Sequence, residues 1–348
     1  IPENYRIYIN DQPFLSNLVK ERTITKTETD KLLKSKGITL YSVTGVGQIY
    51  KTRNGKYFKY LLGFNAPELK PTFAETLTII SSVATVAIKN IQDNIEKKRI
   101  REDLYQASQI QRSLFPDHQL EFYDYDIYGV CIPDSEVGGD YFDYLQIEDK
   151  QDEEERLGIV ISDAASKGLS AAIQALFISG AFRMGWSYST RMTDLFSRLN
   201  KLVYKTFPYE RFVTLFYCEL TLSSNRLVLY VNAGHCAPIH YRAESDKIYK
   251  LNPTGGLLGI LENQRFRVEN IRMHLNDVLV LYTDGITEAM NTEHKLFGEE
   301  RLIETIRKVK HLSAKNIALS VLDEVNKFSA KSDINDDKTI IVVKRRSS

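Results

Sequence analysis

Four acidic punctuation marks interrupt otherwise apolar stretches of this chain: Gly138-Gly139-Asp140, Ser162-Asp163, Thr283-Asp284-Gly285 and Asp336-Asp337. Asp163 follows the run Leu157–Ser162, Asp284 follows Val278–Tyr282, and Asp336-Asp337 stand just ahead of Thr339–Val343. Short runs of Val, Ile, Leu and Tyr read as buried strands. The carboxylates therefore fall at strand ends, where rigid elements can bring them to one point. Carboxylates held together repel unless a cation neutralises them. An all-oxygen ligand set suits Mg²⁺ or Mn²⁺ better than zinc. The pattern points to metal-dependent chemistry on phosphate.

The elements that must position these groups fall into blocks. Between residues 120 and 346 the expected strands are Tyr125–Ile132, Phe142–Ile147, Leu157–Ser162, Phe212–Leu222, Arg226–Asn232, Pro238–Tyr241, Arg265–Met273, Val278–Tyr282 and Thr339–Lys344. The expected helices are Ser166–Met184, Met192–Phe207, Gly298–Lys310 and Ala314–Phe328. Strands and helices arrive in runs rather than in strict alternation, which predicts an α+β domain of antiparallel sheets covered by helices.

Ahead of it, residues 1–72 mix β-like pieces (Tyr5–Ile9, Ile38–Val43, Tyr57–Phe64) with a helical pattern over Glu28–Ser35, and Asn54-Gly55 signals a two-residue hairpin turn. Residues 73–116 read as one long helix with an apolar stripe through Phe73, Leu77, Ile80, Val83, Ile88, Ile91 and Ile95. The charged stretch Glu96–Asp103 interrupts this stripe, which resumes out of phase at Ile100, and Pro116 ends the helix. A narrow stripe on a helix joining two domains predicts a partner helix and a homodimer.

With 348 residues the chain can hold two domains with real cores. Its 46 basic and 45 acidic side chains leave a net charge of +1, so nothing attracts nucleic acid or anionic lipid in general. Cys131, Cys218 and Cys236 sit singly in or near apolar runs and read as reduced thiols of a cytoplasmic protein. No run of about 18 apolar residues appears, which predicts that nothing in the sequence spans a membrane. The first residue is Ile1, which predicts a further segment upstream.

Residues from about 100 to 346 resemble the bacterial PP2C-like serine/threonine phosphatases of the SpoIIE/RsbU type. The text that carries the resemblance is Ala107–Pro116, Gly138-Gly-Asp-Tyr-Phe-Asp143, Ser162-Asp-Ala-Ala-Ser-Lys-Gly168, Arg211–Phe216, Asn232-Ala-Gly-His235, Tyr282–Ala289, Leu296-Phe-Gly298 and Asp336-Asp-Lys-Thr339, in the family's order. It implies an αββα sandwich over residues 117–348 with two Mn²⁺ or Mg²⁺ ions at one edge. Asp140, Asp163 and the carbonyl of Ala164 would ligate them, with Asp284 and one or both of Asp336 and Asp337 completing the second position. Asp140, Asp163 and Asp284 are the expected catalytic residues. The implied reaction is hydrolysis of phosphoserine or phosphothreonine, and the implied partner a phosphorylated anti-sigma-factor antagonist of the STAS type.

Two departures from the family pattern stand out: Ser166 replaces the usual Gly of Asp-x-x-Gly-Lys-Gly, and Ala165 stands where eukaryotic relatives carry His. Ser166 is also the basis for a competing reading, an inactive pseudophosphatase that binds a phosphoprotein. A nucleotide cyclase reading of Gly138-Gly-Asp meets Tyr141 where that signature needs Glu. The segment 1–98 resembles the later portion of a GAF sensory domain, which implies a small-molecule or protein signal.

Overall fold

The computed structural model describes residues 12–346 apart from 28–34, 36, 53–54, 66–67, 69, 71, 148–155, 189–190, 209, 222–225 and 331–335. The chain divides into two compact units, residues 1–102 and 103–348.

In the first unit, helix α1 (Gln12–Glu21) precedes a three-stranded antiparallel sheet, β1 (Thr23–Thr27), β2 (Leu40–Thr52) and β3 (Gly55–Asn65), in the order β1-β2-β3. Leu15 and Leu18 of α1, Val46, Phe58 and Leu77 are its buried apolar residues. The hairpin pairs Thr52 with Gly55. Gly55 therefore opens β3 rather than completing the turn as the sequence suggests, and Asn54 lies outside the described residues. So do Tyr5–Ile9 and all of Glu28–Ser35 except Ser35. α1 itself is not foreseen, because its ten residues give only Leu15, Leu18 and Val19 as a stripe.

Helix α2 (Thr72–Arg112) runs for 41 residues and crosses the boundary between the units. Contrary to the expectation that no segment suits a membrane, one 18-residue window of α2 reaches a mean hydropathy of 1.2, enough by length and composition for a span. Thr78, Ser81, Ser82 and Thr85 break the run of Ile and Val in this helix without lowering the average much. Those hydroxyls have work inside the unit. Arg22 donates to Ser81 Oγ at 3.0 Å and to Thr85 Oγ1 at 2.8 Å, and Thr78 shares a 2.7 Å hydrogen bond with Thr23.

The second unit is a four-layer sandwich. One sheet has the order β11-β10-β13-β14-β5-β4, built from β4 (Gln119–Phe122), β5 (Tyr125–Ile132), β10 (Ile239–Arg242), β11 (Lys247–Lys250), β13 (Val278–Tyr282) and β14 (Lys338–Arg345). The other has the order β12-β9-β8-β7-β6, built from β6 (Tyr141–Ile147), β7 (Arg156–Ala164), β8 (Val213–Thr221), β9 (Leu227–Ala233) and β12 (Glu269–Arg272). Alternate residues face opposite ways along a strand, and here both faces are covered. Leu157, Ile159 and Ile161 meet Leu279, Leu281, Ile341 and Val343 between the sheets. Val160 and Tyr217 face helices α3 (Leu169–Ser187) and α4 (Met192–Thr206). Val278, Val280 and Val342 face α6 (Gly298–Val309) and α7 (Ala314–Ser329). Burial on both sides is why these strands read as unbroken apolar runs rather than as alternating ones.

Two expectations need correction, and three short elements had no counterpart in the sequence reading. The strand foreseen over Arg265–Met273 is only β12, four residues, because Pro253 to Arg267 form a loop that packs Leu258 and Phe266 into the α3/α4 core. The helix foreseen from Ser166 starts at Leu169, because Gly168 adopts φ 62° and ψ −142°, a conformation open essentially to glycine alone. Strands β4 and β11 and the one-turn helix α5 (Asp284–Thr287) were too short to be read in advance.

A buried carboxylate fixes one corner of the sandwich. Asp277, ahead of β13, accepts from the amides of Ala243 at 2.8 Å and His274 at 2.9 Å and pairs with His240 Nε2 at 3.0 Å. Burial pushes its pKa up, but the His240 bond and the two amides outweigh it and hold the carboxyl below its ordinary range. That stabilisation is present above the ordinary carboxylate range and lost as pH falls through the depressed pKa. Asp277→Ala is expected to cost about 3 kcal/mol, a fall in Tm of roughly 6–12 °C for a unit of this size, measurable by calorimetry.

Candidate active site

Strand register gathers the acidic residues. Pairing of Tyr141 with Ser162 sets Asp140, just before β6, opposite Asp163 near the end of β7. In the other sheet, pairing of Tyr282 with Ile340 leaves Thr283 and Asp284 past the end of β13 and Asp336-Asp337 just ahead of β14. All four motifs thus end up at one edge of the sandwich.

Asp140 is the deepest of them, 2% exposed. Its Oδ2 accepts from Thr283 Oγ1 at 2.8 Å and from Thr339 Oγ1 at 2.6 Å, so a residue of one sheet is held by hydroxyls from two strand ends of the other. Thr283 and Thr339 are themselves locked together. Thr339 N donates to Thr283 Oγ1 at 3.0 Å, and Thr283 N donates to the Thr339 carbonyl at 3.1 Å.

Asp337 is held by main chain. Its Oδ2 accepts from Gly139 N at 2.5 Å and its Oδ1 from Asp134 N at 2.8 Å. A Cβ on Gly138 would stand 2.6 Å from that Oδ2, and one on Gly139 would stand 2.8 Å from the Cβ of Ala171. The two glycines are there because the backbone passes too close to Asp337 and α3 for any side chain. Asp336 pairs with exposed Lys167 at 2.8 Å. The carbonyl of Ala164 accepts from Ser166 N at 2.6 Å.

Electrostatics tie the group into one cluster. Burial raises Asp140 well above its ordinary range and neighbouring Asp163 raises it further, with the Thr339 and Thr283 hydroxyls pulling the other way. Burial, then Asp284, Asp336 and Asp337, push Asp163 up to about 7. Asp284 is raised by burial and by Glu288 and Asp336. Asp337 is raised by burial against the pull of the amides of Asp134, Gly139 and Asp140. Among the described residues no group of three or more His, Cys, Asp or Glu side chains is arranged to hold a metal ion. The residues nonetheless suit hard divalent cations, because the donors are oxygens and their charge is buried without an equal opposite charge.

Sequence reasoning missed several participants. Thr283 and Thr339 are letters of the quoted motifs, but nothing local marks them as donors to Asp140. Asp143, also buried, accepts from Tyr141 Oη at 2.8 Å and from Arg183 Nε at 2.5 Å. His235 sits in a turn: its amide donates to Asn232 Oδ1 at 2.8 Å and its Nδ1 meets Thr214 Oγ1 at 2.8 Å. Burial lowers its pKa to about 4. Ser166 does not cap α3; its Oγ accepts from Gln174 Nε2 at 2.9 Å, and the N-cap position belongs to Gly168.

Two antiparallel sheets between helix pairs, with buried carboxylates at one edge, define the class of PP2C-like folds. The SiaA-PP2C domain of Pseudomonas aeruginosa superposes with a TM-score of 0.61 over 72% of this chain and 98% of that domain, at 18% identity. The family model of stage II sporulation protein E (SpoIIE) matches residues 153–346, more than half of the chain. The chain belongs to the SpoIIE family and is a PPM-type protein serine/threonine phosphatase. It is 24% identical over 250 residues to the phosphoserine phosphatase RsbU of Bacillus subtilis, covering 72% of each chain. It is 27% identical over 293 residues to protein IcfG of Synechocystis, covering 76% of this chain but only 44% of that relative.

The raised carboxyls have a measurable consequence. A carboxyl that titrates higher folded than unfolded binds its proton more tightly in the folded state, so stability falls as pH rises between the two values. With divalent cations chelated, Tm is expected to fall between about pH 4 and pH 7, and Asp163→Asn should flatten that slope. A slope unaffected by this substitution would mean that Asp163 does not titrate high.

Proposed function

We propose that this chain uses two Mn²⁺ or Mg²⁺ ions to hydrolyse phosphoserine or phosphothreonine on a protein partner in a bacterial partner-switching pathway. The observation that carries the reading is the set of Asp140, buried, and Asp163, Asp284 and Asp337, half-buried, which stand close enough to repel one another at the common edge of the two sheets. Asp140, Asp163 and the Ala164 carbonyl would hold the cations, with Asp284, Asp336 and Asp337. When bound, two such ions supply an activated water and neutralise charge on the phosphoryl oxygens.

The chain's own residues do the rest. Thr283 and Thr339 fix the orientation of Asp140 and leave its Oδ1 for other partners. The amides of Gly139 and Asp134 orient Asp337. Lys167, 75% exposed at the rim, is placed to attract the substrate's phosphate and to exchange Asp336 for it.

The partner we infer is a phosphorylated STAS-type anti-sigma-factor antagonist, met in the cytoplasm. Support comes from the SpoIIE family and from the resemblance to RsbU, named a phosphoserine phosphatase. We further infer that the N-terminal unit is a GAF-like sensor acting through α2 in a homodimer. The support is the bare apolar stripe of that helix, with Ile91 58% and Ile95 64% exposed.

The pseudophosphatase reading loses its main argument. Ser166 is not among the residues with positive φ, so serine brings no backbone strain there, and every carboxylate of the motifs is present. Wild type is expected to release phosphate from a phosphoserine protein only with Mn²⁺ or Mg²⁺. Asp163→Asn and Asp284→Asn should each lose about a hundredfold or more in rate, some 2.7 kcal/mol of transition-state stabilisation. Ser166→Gly should change the rate less than about tenfold. An active Ser166→Gly beside a wild type as dead as Asp163→Asn would restore the pseudophosphatase.

The helix makes a separate prediction. Replacing Ile88, Ile91 and Ile95 together by polar residues should weaken self-association by about tenfold or more and change basal turnover. Sedimentation velocity and the phosphate assay on the same samples check it, and unaltered values in both would remove the dimer.

A further inference from the structure

The segment Ala107–Pro116 matches a motif of the family, yet none of its side chains enters the acidic cluster. It forms the last turns of α2 and the exit from that helix, inside the second unit. Gln111, 7% exposed, places both ends of its amide on the main chain of one residue of the glycine loop. Its Nε2 donates to the Gly138 carbonyl at 2.7 Å, and its Oε1 accepts from Gly138 N at 3.1 Å. A side-chain amide offers a donor and an acceptor on adjacent atoms, whereas a carboxylate lacks the donor and an ammonium lacks the acceptor.

The same helix end is fastened on the other flank of Asp140. Arg183 donates from Nη2 to the Leu114 carbonyl at 2.7 Å and from Nε to Asp143 at 2.5 Å. The Phe115 ring lies 5.4 Å from that of Phe142 and 6.5 Å from that of Tyr141. Asp140 is thus bracketed by two attachments, Gly138 before it to the last turn of α2 and Tyr141–Asp143 after it to the Leu114-Phe115 exit from that helix. A cavity of about 430 Å³ lined by Gln111, Arg112, Gly138 and Asp140 opens beside the clamp, so close packing alone does not hold the loop on that side.

We propose that Gln111 is a positioning residue: its paired hydrogen bonds to Gly138 register the Asp140 loop to the last turn of α2, so the cation affinity of the site depends on where that turn sits. This rests on the phosphatase reading for its consequence in turnover, but not for the clamp itself. The dependence runs through a short covalent path, Gly138-Gly139-Asp140. Gly139 also carries the amide that orients Asp337, so one displacement disturbs two of the acidic residues.

The test uses the full chain as wild type, Gln111→Met, Gln111→Glu and Ser113→Ala. Met keeps the length of Gln without its polar atoms. Glu keeps the acceptor and loses the donor. Ser113 is exposed and its hydroxyl donates to the Ile110 carbonyl within its own turn, so Ser113→Ala should match wild type throughout. In Gln111→Met, amide exchange at residues 138 and 139 should quicken about tenfold, as expected for the loss of two buried hydrogen bonds. Mn²⁺ affinity by calorimetry should weaken about tenfold. The turnover number should fall by about tenfold with KM nearly unchanged.

Wild-type exchange and Mn²⁺ binding in Gln111→Met overturn the proposal. If Gln111→Met does not fold, Gln111→Glu carries the same criteria, and loss of folding in both assigns Gln111 to stability and overturns the positioning role. Exchange and calorimetry need no turnover. A wild type without activity would therefore sink the phosphatase reading and leave the clamp standing, whereas an unaffected Gln111→Met beside a dead Asp163→Asn would sink the clamp alone.

Discussion

The buried carboxylate of Asp140 is the interaction on which the site depends. It sits between the two sheets, and both hydroxyls that reach it, Thr283 and Thr339, come from the sheet to which it does not belong. A charge this deep is costly unless it is hydrogen-bonded. Those two bonds therefore stabilise the residue and also join the sheets at the edge where the strands stop. Tight packing elsewhere between the sheets makes this joint rigid: Phe142, Ile161, Leu281 and Ile341 are all fully buried. The acidic residues inherit their positions from strand register rather than from flexible loops.

Much of this arrangement was legible in the chain, for a simple reason. Strands covered on both faces leave unbroken apolar runs, and an Asp directly after such a run has to lie at a strand end. That reasoning locates Asp163 and Asp284 and the pair Asp336-Asp337. It also recovers the helices α4, α6 and α7 to within a residue at each end, because each presents one apolar face to a sheet. Periodicity fails where conformation is set by a single residue, as at Gly168, or where an element is a single turn, as in α5.

What stayed hidden were the partners. Thr339 lies 199 residues from Asp140, Asp337 lies 198 from Gly139, and Arg183 lies 40 from Asp143. No local pattern tells which of many threonines or arginines will close such a bond, since the choice is made by sheet order and not by neighbours in the chain. Gln111 was quoted within a motif without a role for the same reason. The long apolar strip of α2 was plain in sequence, yet its composition alone fits a partner helix, a core face or a membrane span. The burial of Leu77 and the bonds of Thr78, Ser81 and Thr85 to Thr23, Arg22 and Gly47 assign one side of it to the folded unit.

The chemistry of the donors that hold the acidic cluster bears on why it would need cations. Asp140 and Asp337 are held by hydroxyls and main-chain amides, which are neutral, while Lys167 reaches only Asp336 at the exposed rim. Neutral donors orient a carboxylate without cancelling its charge, so burial, and after it repulsion from neighbouring carboxylates that include Asp336 and Glu288, lifts the pKa values of Asp140, Asp163, Asp284 and Asp337. A buried arginine or lysine would have relieved that repulsion and made the edge more stable, and it would also have removed its attraction for a divalent ion. The arrangement observed keeps the geometry fixed and the charge uncompensated. Under the proposed mechanism this is the condition that a two-cation site requires, and it ties cation binding to whatever keeps the Asp140 loop in place.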